Sequence, residues 1–246
     1  EEKPLEAEGL TDLGVVYAHL GDFRGAIKYY EQALTIDREI GNRGREGSTL
    51  VNLGEALAGL GDFRGAIGHF DQALVIFRET GNRGGEGAAL GGMGSACLNL
   101  GDARRAVHCL MLQLAIAKDM GDRDSEGKAL GSLGNVHVRL GDLELAIDCY
   151  EQRLAIAREI GDRRGEENAL GNLGSVSDYA GDTQRAVVYY EQALAIAREI
   201  GDRSGEGMGL GNLGVAYRKL GHFQRSIEYY EQAIAIAKEI GDIDEV

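Results

Sequence analysis

A repeat of 40 residues runs through almost the whole chain and constrains its fold more than any other feature. Copies occupy residues 1–40, 41–80, 81–120, 121–160, 161–200 and 201–240, and residues 241–246 are predicted to begin a further copy of the same single array. A leucine column is complete, at Leu10, Leu50, Leu90, Leu130, Leu170 and Leu210, and a glycine column follows four residues later. No insertion shifts this register, so every copy must form the same structural unit and pack on its neighbours in the same way.

Each copy has the pattern of two helices joined by short turns. In the second copy, Asn42 is placed to cap a first helix and Gly61 to end it. Asp62 then caps a second helix, which ends at Gly81. Apolar residues of the first helix recur at spacings of three and four, at Leu50, Leu53, Leu57 and Leu60. Glycine in mid-helix, as at Gly54, costs about 1 kcal/mol relative to alanine, so its recurrence predicts close contact between helices there.

The composition argues against several classes of partner. A net charge of −14 and a pI near 4.8 disfavour nucleic acid and membrane surfaces, because both are bound through clustered Lys and Arg. No apolar run approaches the roughly 20 residues of a membrane helix, and the first residues lack a signal-peptide pattern, so a cytoplasmic location is expected. Cys97, Cys109 and Cys149 are odd in number and lack CxxC spacing, which predicts neither a disulfide framework nor a zinc site.

Catalytic patterns are missing from the sequence. The five histidines fall in different columns of the repeat, and no HExxH, GxSxG or phosphate-loop pattern occurs. His137 and Ser177 share the column of Tyr17 and Tyr217, but no third group accompanies them, so variation in packing explains them better than catalysis. We therefore expect a non-enzymatic protein that needs no cofactor.

The order of small and large residues in each copy resembles the tetratricopeptide repeat (TPR) pattern. In the last copy the matching residues are Leu210, Leu213, Gly214, Tyr217, Gly221, Ser226, Tyr230 and Ala233. The 40-residue version is similar to the TPR arrays of the Pins/LGN cell-polarity adaptors and of multi-TPR proteins from bacteria and protists, through EQRLAIAREIGDR at 151–163 and NALGNLGSV at 168–176. This resemblance implies an all-α solenoid of six hairpins, about twelve helices, in a right-handed superhelix. It also implies a concave groove, lined by the first helices, that binds a peptide segment of a partner protein.

Candidate groove residues form a second stripe on each first helix, away from the leucines. They are Asn52, Glu55, Lys128, Ser132, Asn135, Arg139, Asn168, Asn172, Ser175, Asp178, Tyr179, Met208, Asn212, Arg218 and Lys219. The stripe varies from copy to copy while the core columns stay constant, which is typical of a groove for a non-repetitive ligand and also of drift at a free surface. The amides of Asn52, Asn172 and Asn212 can each donate and accept, so they suit an extended peptide backbone, or simply solvent.

The charge and size of the stripe change along the chain. Acidic residues stand in the first copy, at Glu8 and Asp12, whereas the last copy has Arg218 and Lys219. We therefore expect acidic ligand residues to face the C-terminal half, although exposed charges on helices often serve solvation alone. The stripe also carries glycine at Gly91, Gly131, Gly171 and Gly211, which predicts a bare groove floor that a ligand backbone can approach closely.

The third copy departs from the pattern on its second helix. Met111 and Leu112 replace the pair found at Glu151 and Gln152 and form, with Cys109, an apolar patch. This patch is predicted to be either an outer interface or partly turned inward. Two functions follow from these features. The favoured one is an adaptor or signalling scaffold that captures a peptide of a partner protein in the groove. The alternative is a self-assembling structural spacer, joined end to end or through this patch.

Overall fold

The computed structural model describes residues 2–244, and over these residues it contains twelve α-helices and no strand. The helices are α1 (Glu2–His19), α2 (Phe23–Ile40), α3 (Arg43–Gly59), α4 (Phe63–Thr80), α5 (Arg83–Asn99), α6 (Ala103–Met120), α7 (Arg123–Leu140), α8 (Leu143–Ile160), α9 (Arg163–Tyr179), α10 (Thr183–Ile200), α11 (Arg203–Lys219) and α12 (Phe223–Asp244). They form two compact units, one up to Ser132 and one from Leu133 onward, and the boundary lies within α7. None of the described helices is long and apolar enough to span a bilayer.

The predicted helix ends are confirmed. The side chain of Asn42 accepts a hydrogen bond from the backbone N–H of Arg45 at 3.1 Å, and Asp62 caps α4 in the same way. Gly61 turns the chain with a φ of 83°, in the left-handed region that favours glycine. At Gly241, by contrast, α12 continues to Asp244 without the turn that opens the second to sixth copies. Residues 245 and 246 lie outside the described part of the chain.

The mid-helix glycines lie where the two helices of a hairpin touch. A Cβ atom added at Gly54 would lie 2.6 Å from the ring of Phe70, and one at Gly174 would lie 2.5 Å from the ring of Tyr190. Real Cβ atoms do not approach other atoms so closely, so only glycine admits the buried aromatic residue at this point. The close contact predicted for this column is therefore confirmed.

Successive hairpins share their cores within each unit. In the second unit, Tyr150 and Leu154 of α8 are buried together with Leu170 and Leu173 of α9 and Ile196 of α10. In the first unit, α4 packs against α5 much as α3 packs against α4. The second helix of one copy thus covers the first helix of the next, because a single hairpin has too little surface to bury both of its apolar faces.

A buried carboxylate joins neighbouring copies at the start of five first helices. Glu206 accepts hydrogen bonds from Arg198 of the preceding copy, at 2.8 Å, and from Arg203 of its own helix. The same arrangement, which we call the carboxylate clamp, recurs at Glu46, Glu86 and Glu166. At Glu126 the clamp consists of Arg123 and a longer ion pair, at 3.9 Å, with Lys118 of the preceding copy. These five side chains are only about 8–10% exposed, although their basic partners are about half exposed. The clamp therefore fixes the register between consecutive copies. It also places a negative charge at the N-terminus of the helix, where the helix dipole favours it.

The contact between α2 and α3 contains an ion pair that the other copies lack. Asp37 is fully buried, and its carboxylate accepts hydrogen bonds from Arg45 at 2.5 Å and from Thr49 at 3.4 Å. Arg45 also donates to the carbonyl oxygen of Pro4 at 2.8 Å, and its Nη2 atom is buried without a hydrogen-bond partner. In the next copy the same position as Asp37 holds the apolar residue Phe77. A buried ion pair thus replaces apolar packing at the contact between α2 and α3.

Candidate functional site

A cavity of about 500 Å³ opens on the first unit, between α3, α5 and the start of α7. Three of the predicted groove residues line it: Glu55 from α3, and Lys128 and Ser132 from α7. Most of the remaining lining residues are small: Ala58, Gly84, Ala88, Gly91, Gly92, Ser95 and Ser125. The two large ones are Phe70 and Gln113. Part of the predicted stripe of the first unit therefore lines a recessed surface.

The floor of this cavity is partly filled by side chains from the second helices. The ring of Phe70 lies 2.5 Å from the place where Gly92 would carry a Cβ atom, and the amide of Gln113 lies 2.7 Å from the same place on Gly91. The expectation of a bare floor is therefore wrong at Gly91, because the long side chain of Gln113 reaches under it. At Gly171 and Gly211 in the second unit no atom lies within 4 Å, so the expectation is confirmed there.

The two charged groups of the cavity differ in their surroundings. Lys128 forms an ion pair with Asp124, one helical turn earlier, at 2.5 Å. Glu55 has no hydrogen-bond or ion-pair partner among residues 2–244. Although Glu55 keeps more than a third of its surface accessible, desolvation by the surrounding groups raises the pKa of its carboxyl. Of the two charged residues that line the cavity, Glu55 thus has no partner among the described residues, whereas Lys128 is paired with Asp124.

Opposite charges on the stripe of the second unit neutralise each other. Lys219 of α11 pairs with Asp178 of α9 at 2.7 Å, and Asp178 also accepts a hydrogen bond from Thr183 at 2.9 Å. Arg139 and Arg218 are exposed and form no ion pair with any residue of the described chain. Of the basic residues predicted to attract acidic ligand groups, Lys219 is thus already in an ion pair. Arg139 and Arg218 can still form an ion pair with a ligand.

Several polar residues of the stripe take part in the protein's own hydrogen bonds. Asn135 accepts from the hydroxyl of Tyr150 at 2.7 Å, and Ser175 accepts from the hydroxyl of Tyr190 at 3.3 Å. Asn168 donates to the carbonyl oxygen of Arg164 at 2.9 Å. Because these groups already have partners, they are less available to a ligand than the sequence pattern indicates.

The asparagine column behaves differently. Asn52, Asn172 and Asn212 are half-buried, and their amides make no hydrogen bond to any other described residue. Two large side chains, Tyr179 and Met208, stand well exposed on the same stripe of the second unit. Amides without partners next to exposed apolar surface are chemically suited to a peptide, since they offer both donors and acceptors. Their role in binding stays a prediction.

The predicted apolar patch of the third copy is smaller than expected. Met111 and Leu112 are 59% and 38% exposed, but Cys109 is only 3% exposed and lies in the core between α5 and α6. An α-helix turns by about 100° per residue, so Cys109 and Met111 point to opposite sides of α6. Burial raises the pKa of the Cys109 thiol and raises that of Cys97 to about 11, which disfavours the thiolate form of both. Within residues 2–244, no three His, Cys, Asp or Glu side chains are grouped to hold a metal ion.

Comparison of the sequence with known families identifies the repeat. The Tetratricopeptide repeat profile matches residues 45–119, 85–159, 125–199 and 166–239, and a second Tetratricopeptide repeat profile matches residues 7–39. The chain belongs to the tetratricopeptide repeat family. The predicted all-α solenoid of TPR hairpins is thereby confirmed, and the chain has the fold of a protein–protein interaction module. No curated protein sequence matches the chain significantly.

Solved structures with the TPR fold resemble this chain at low sequence identity. BtubC (BKLC) from P. vanneervenii has a TM-score of 0.79 and 20% identity, over 87% of this chain and 91% of that one. A signal transduction ATPase with a TPR sensor from Pyrococcus horikoshii has a TM-score of 0.81 and 17% identity, but the match covers 94% of this chain and only 36% of that protein. A Rap protein in complex with competence and sporulation factor has a TM-score of 0.73 and 15% identity, over 97% and 76% of the two chains. At these identities the likeness concerns the fold alone.

Two residues that line the cavity between α3, α5 and α7 come from second helices, and the sequence pattern did not predict them as site residues. Phe70 occupies a column of buried aromatic and apolar residues, and Gln113 occupies a column that is otherwise alanine or, once, arginine. The break at Gln113 is visible in the sequence as a long polar residue among alanines. Only the packing of α6 against α5 shows that this side chain reaches the groove.

Proposed function

We propose that this chain is a non-enzymatic adaptor that binds a peptide segment of a partner protein on the groove stripe of its first helices. The cavity between α3, α5 and α7 carries the proposal, because three predicted stripe residues line it and most of its walls are small side chains. Small side chains leave a peptide backbone room to approach. The amides of Asn172 and Asn212, which make no hydrogen bond within residues 2–244, support a continuation of the same mode on the second unit.

Structures of the same fold lend support to a bound partner. The Rap protein that resembles this chain is in complex with competence and sporulation factor. The TPR family to which the chain belongs consists of interaction modules, and the fold of this chain offers the same kind of surface. In the proposed role, specificity lies in the stripe residues, because they vary between copies more than the core columns do.

A displayed random-peptide library tests the proposal directly. The purified chain is used to select peptides, and the dissociation constants of the selected peptides are measured by fluorescence anisotropy. Ala88 is exposed and lines the cavity, so Ala88→Arg should fill the groove and weaken binding tenfold or more, roughly the loss of one strong contact. Ala115, exposed on the second helix α6, provides the matched control Ala115→Arg, which should bind as the wild type does.

A second variant covers the other unit. Asn172→Ala combined with Asn212→Ala removes two amides that make no hydrogen bond in the described chain. Peptides that bind on the second unit should lose affinity for this variant and keep it for Ala88→Arg. If selected peptides bind both variants as tightly as the wild type, the groove stripe is not the binding surface and the proposal is wrong.

A further inference from the structure

Within the proposed peptide-binding function, the structure also indicates which ligand chemistry the first unit accepts. We propose that its cavity binds a peptide segment that carries a lysine or arginine, and that this side chain pairs with Glu55. The inference depends on the groove being the binding surface. It adds to that function the chemical class of the ligand at one defined position.

Glu55 differs from the clamp carboxylates of the first unit. Glu46 and Glu86 are each clamped by two arginines, at distances of 2.7 to 3.0 Å. The only cation lining the same cavity, Lys128, is paired with Asp124. Glu55 consequently faces the cavity with no cation of its own among the described residues.

Two other copies show how a polar residue in the column of Glu55 is satisfied. In the fourth and fifth copies the equivalent residues, Asn135 and Ser175, accept hydrogen bonds from the buried hydroxyls of Tyr150 and Tyr190. In the second copy the tyrosine is replaced by phenylalanine at position 70, which has no hydroxyl. The carboxylate therefore lacks the tyrosine donor that is present in those two copies, and an external donor can take that place.

Desolvation makes the missing partner energetically important. Surrounding groups raise the pKa of Glu55, which means that the ionised form is less well stabilised here than in water. A positively charged ligand group would reverse this effect by pairing with the carboxylate in a partly water-excluded site. The small side chains of Ala58 and Ala88 leave space in the cavity for a long side chain.

The stripe of α1 has the same sign of charge as Glu55. Glu8 and Asp12 of α1 are exposed and have no ion-pair partner within residues 2–244. Together with Glu55 they make this surface repel phosphates and acidic peptides and attract a basic segment. A protein segment with one anchoring basic residue and further basic residues nearby fits this surface.

The experiment uses the random-peptide selection with a charge-matched pair of variants. Glu55→Gln removes the proposed anchor, whereas Glu31→Gln removes an exposed carboxylate of the second helix α2, outside the cavity. The wild type and Glu31→Gln should enrich peptides with Lys or Arg at one register position, and Glu55→Gln should lose this enrichment. For a selected peptide, Glu55→Gln should weaken binding about tenfold, as expected for a partly solvated interfacial charge pair.

A double-mutant cycle separates a direct pair from a general charge effect. Replacing the enriched lysine of the peptide by norleucine should weaken binding to the wild type about tenfold and should hardly change binding to Glu55→Gln. Equal losses with Glu31→Gln and Glu55→Gln, or enrichment of acidic residues, would overturn the inference. If Ala88→Arg blocks binding while Glu55→Gln does not, the inference is wrong and the groove function stands. If no peptide binds at the groove, both are wrong.

Discussion

Single residues of this repeat carry different roles although they look alike in the sequence. Gly174 and Gly171 both lie inside α9, but a Cβ atom would collide with Tyr190 at the first and meet nothing within 4 Å at the second. One glycine is required by packing and the other leaves surface open. Buried acids also differ in their partners. Glu206 is held by two arginines, whereas Asp37 accepts hydrogen bonds from Arg45 and Thr49.

The Asp37–Arg45 pair leads to a prediction about stability. Arg45→Gly alone should cost about 3–5 kcal/mol, because it leaves a fully buried carboxylate without its cation. The triple variant Asp37→Ala, Arg45→Gly, Thr49→Ala reproduces the residues found at the same columns between the fourth and fifth copies. Its stability should return to within about 1 kcal/mol of the wild type, because the buried charge is removed with its partners.

Urea unfolding followed by circular dichroism would measure these differences through the transition midpoint. Thr49→Ala alone is the natural control, since it removes only the weaker hydrogen bond to Asp37. Simple addition of the three single losses in the triple variant would contradict the interpretation of Asp37, Arg45 and Thr49 as one coupled network.

At the scale of helices, the carboxylate clamp links stability to pH. Hydrogen bonds from Arg198 and then the charge of Arg203 lower the pKa of Glu206. For Glu86 and Glu166 burial acts in the opposite direction, but hydrogen bonds from their arginines outweigh it and the pKa of each is again lowered. A carboxyl whose pKa is lowered by folding stabilises the protein above its unfolded pKa, about 4.3, and loses this contribution as the pH falls through the folded pKa.

We therefore expect the free energy of unfolding to fall as the pH is lowered below about 4.5. Glu206→Gln should be less stable than the wild type at pH 7, and its stability should fall less steeply on acidification, because one titrating clamp is gone. The matched control, Glu231→Gln, removes an exposed carboxylate of α12 and should leave the slope unchanged. Thermal unfolding between pH 3 and pH 7 gives the comparison, and parallel curves for wild type and Glu206→Gln would contradict the prediction.

At the scale of the whole chain, the described contacts join helices that are neighbours or next neighbours in sequence. A repeat array of this kind is stabilised by the sum of its local interfaces, so a local defect should be felt locally. This organisation is favourable for a binding module, since stripe residues can change without disturbing distant copies.

Gly174→Ala tests this locality. Overpacking against the buried ring of Tyr190 should cost about 1–3 kcal/mol, more than the roughly 1 kcal/mol that alanine adds to helix propensity. Hydrogen exchange measured by mass spectrometry should therefore quicken in α8–α11 and stay unchanged in α1–α4. Gly171→Ala is the matched control and should slow exchange in α9, because its Cβ atom meets no neighbour. Equal acceleration along the whole chain would show that the array unfolds as one unit.

Much of the fold could be predicted from the sequence because each copy repeats the same local signals. Three kinds of signal recur in all or nearly all copies, and each acts within a few residues of chain. They are the helix caps at Asn42 and Asp62, the positive-φ glycines at Gly41 and Gly61, and the contact glycine at Gly54. The candidate site was predicted only as a stripe. Helical periodicity tells which side chains share a face, but it does not tell which of them already have a partner.

Local signals in the sequence thus determined the helices, their ends and the order in which they pack, because capping and periodicity are properties of short segments. The tertiary structure alone decided that Lys219 is engaged by Asp178, that Cys109 is buried and that Gln113 closes the floor at Gly91. It also decided that Glu55 has no ion-pair partner among the described residues. The reason is physical: whether a side chain is free depends on atoms that other helices bring within hydrogen-bonding distance, and those helices are set by packing between copies.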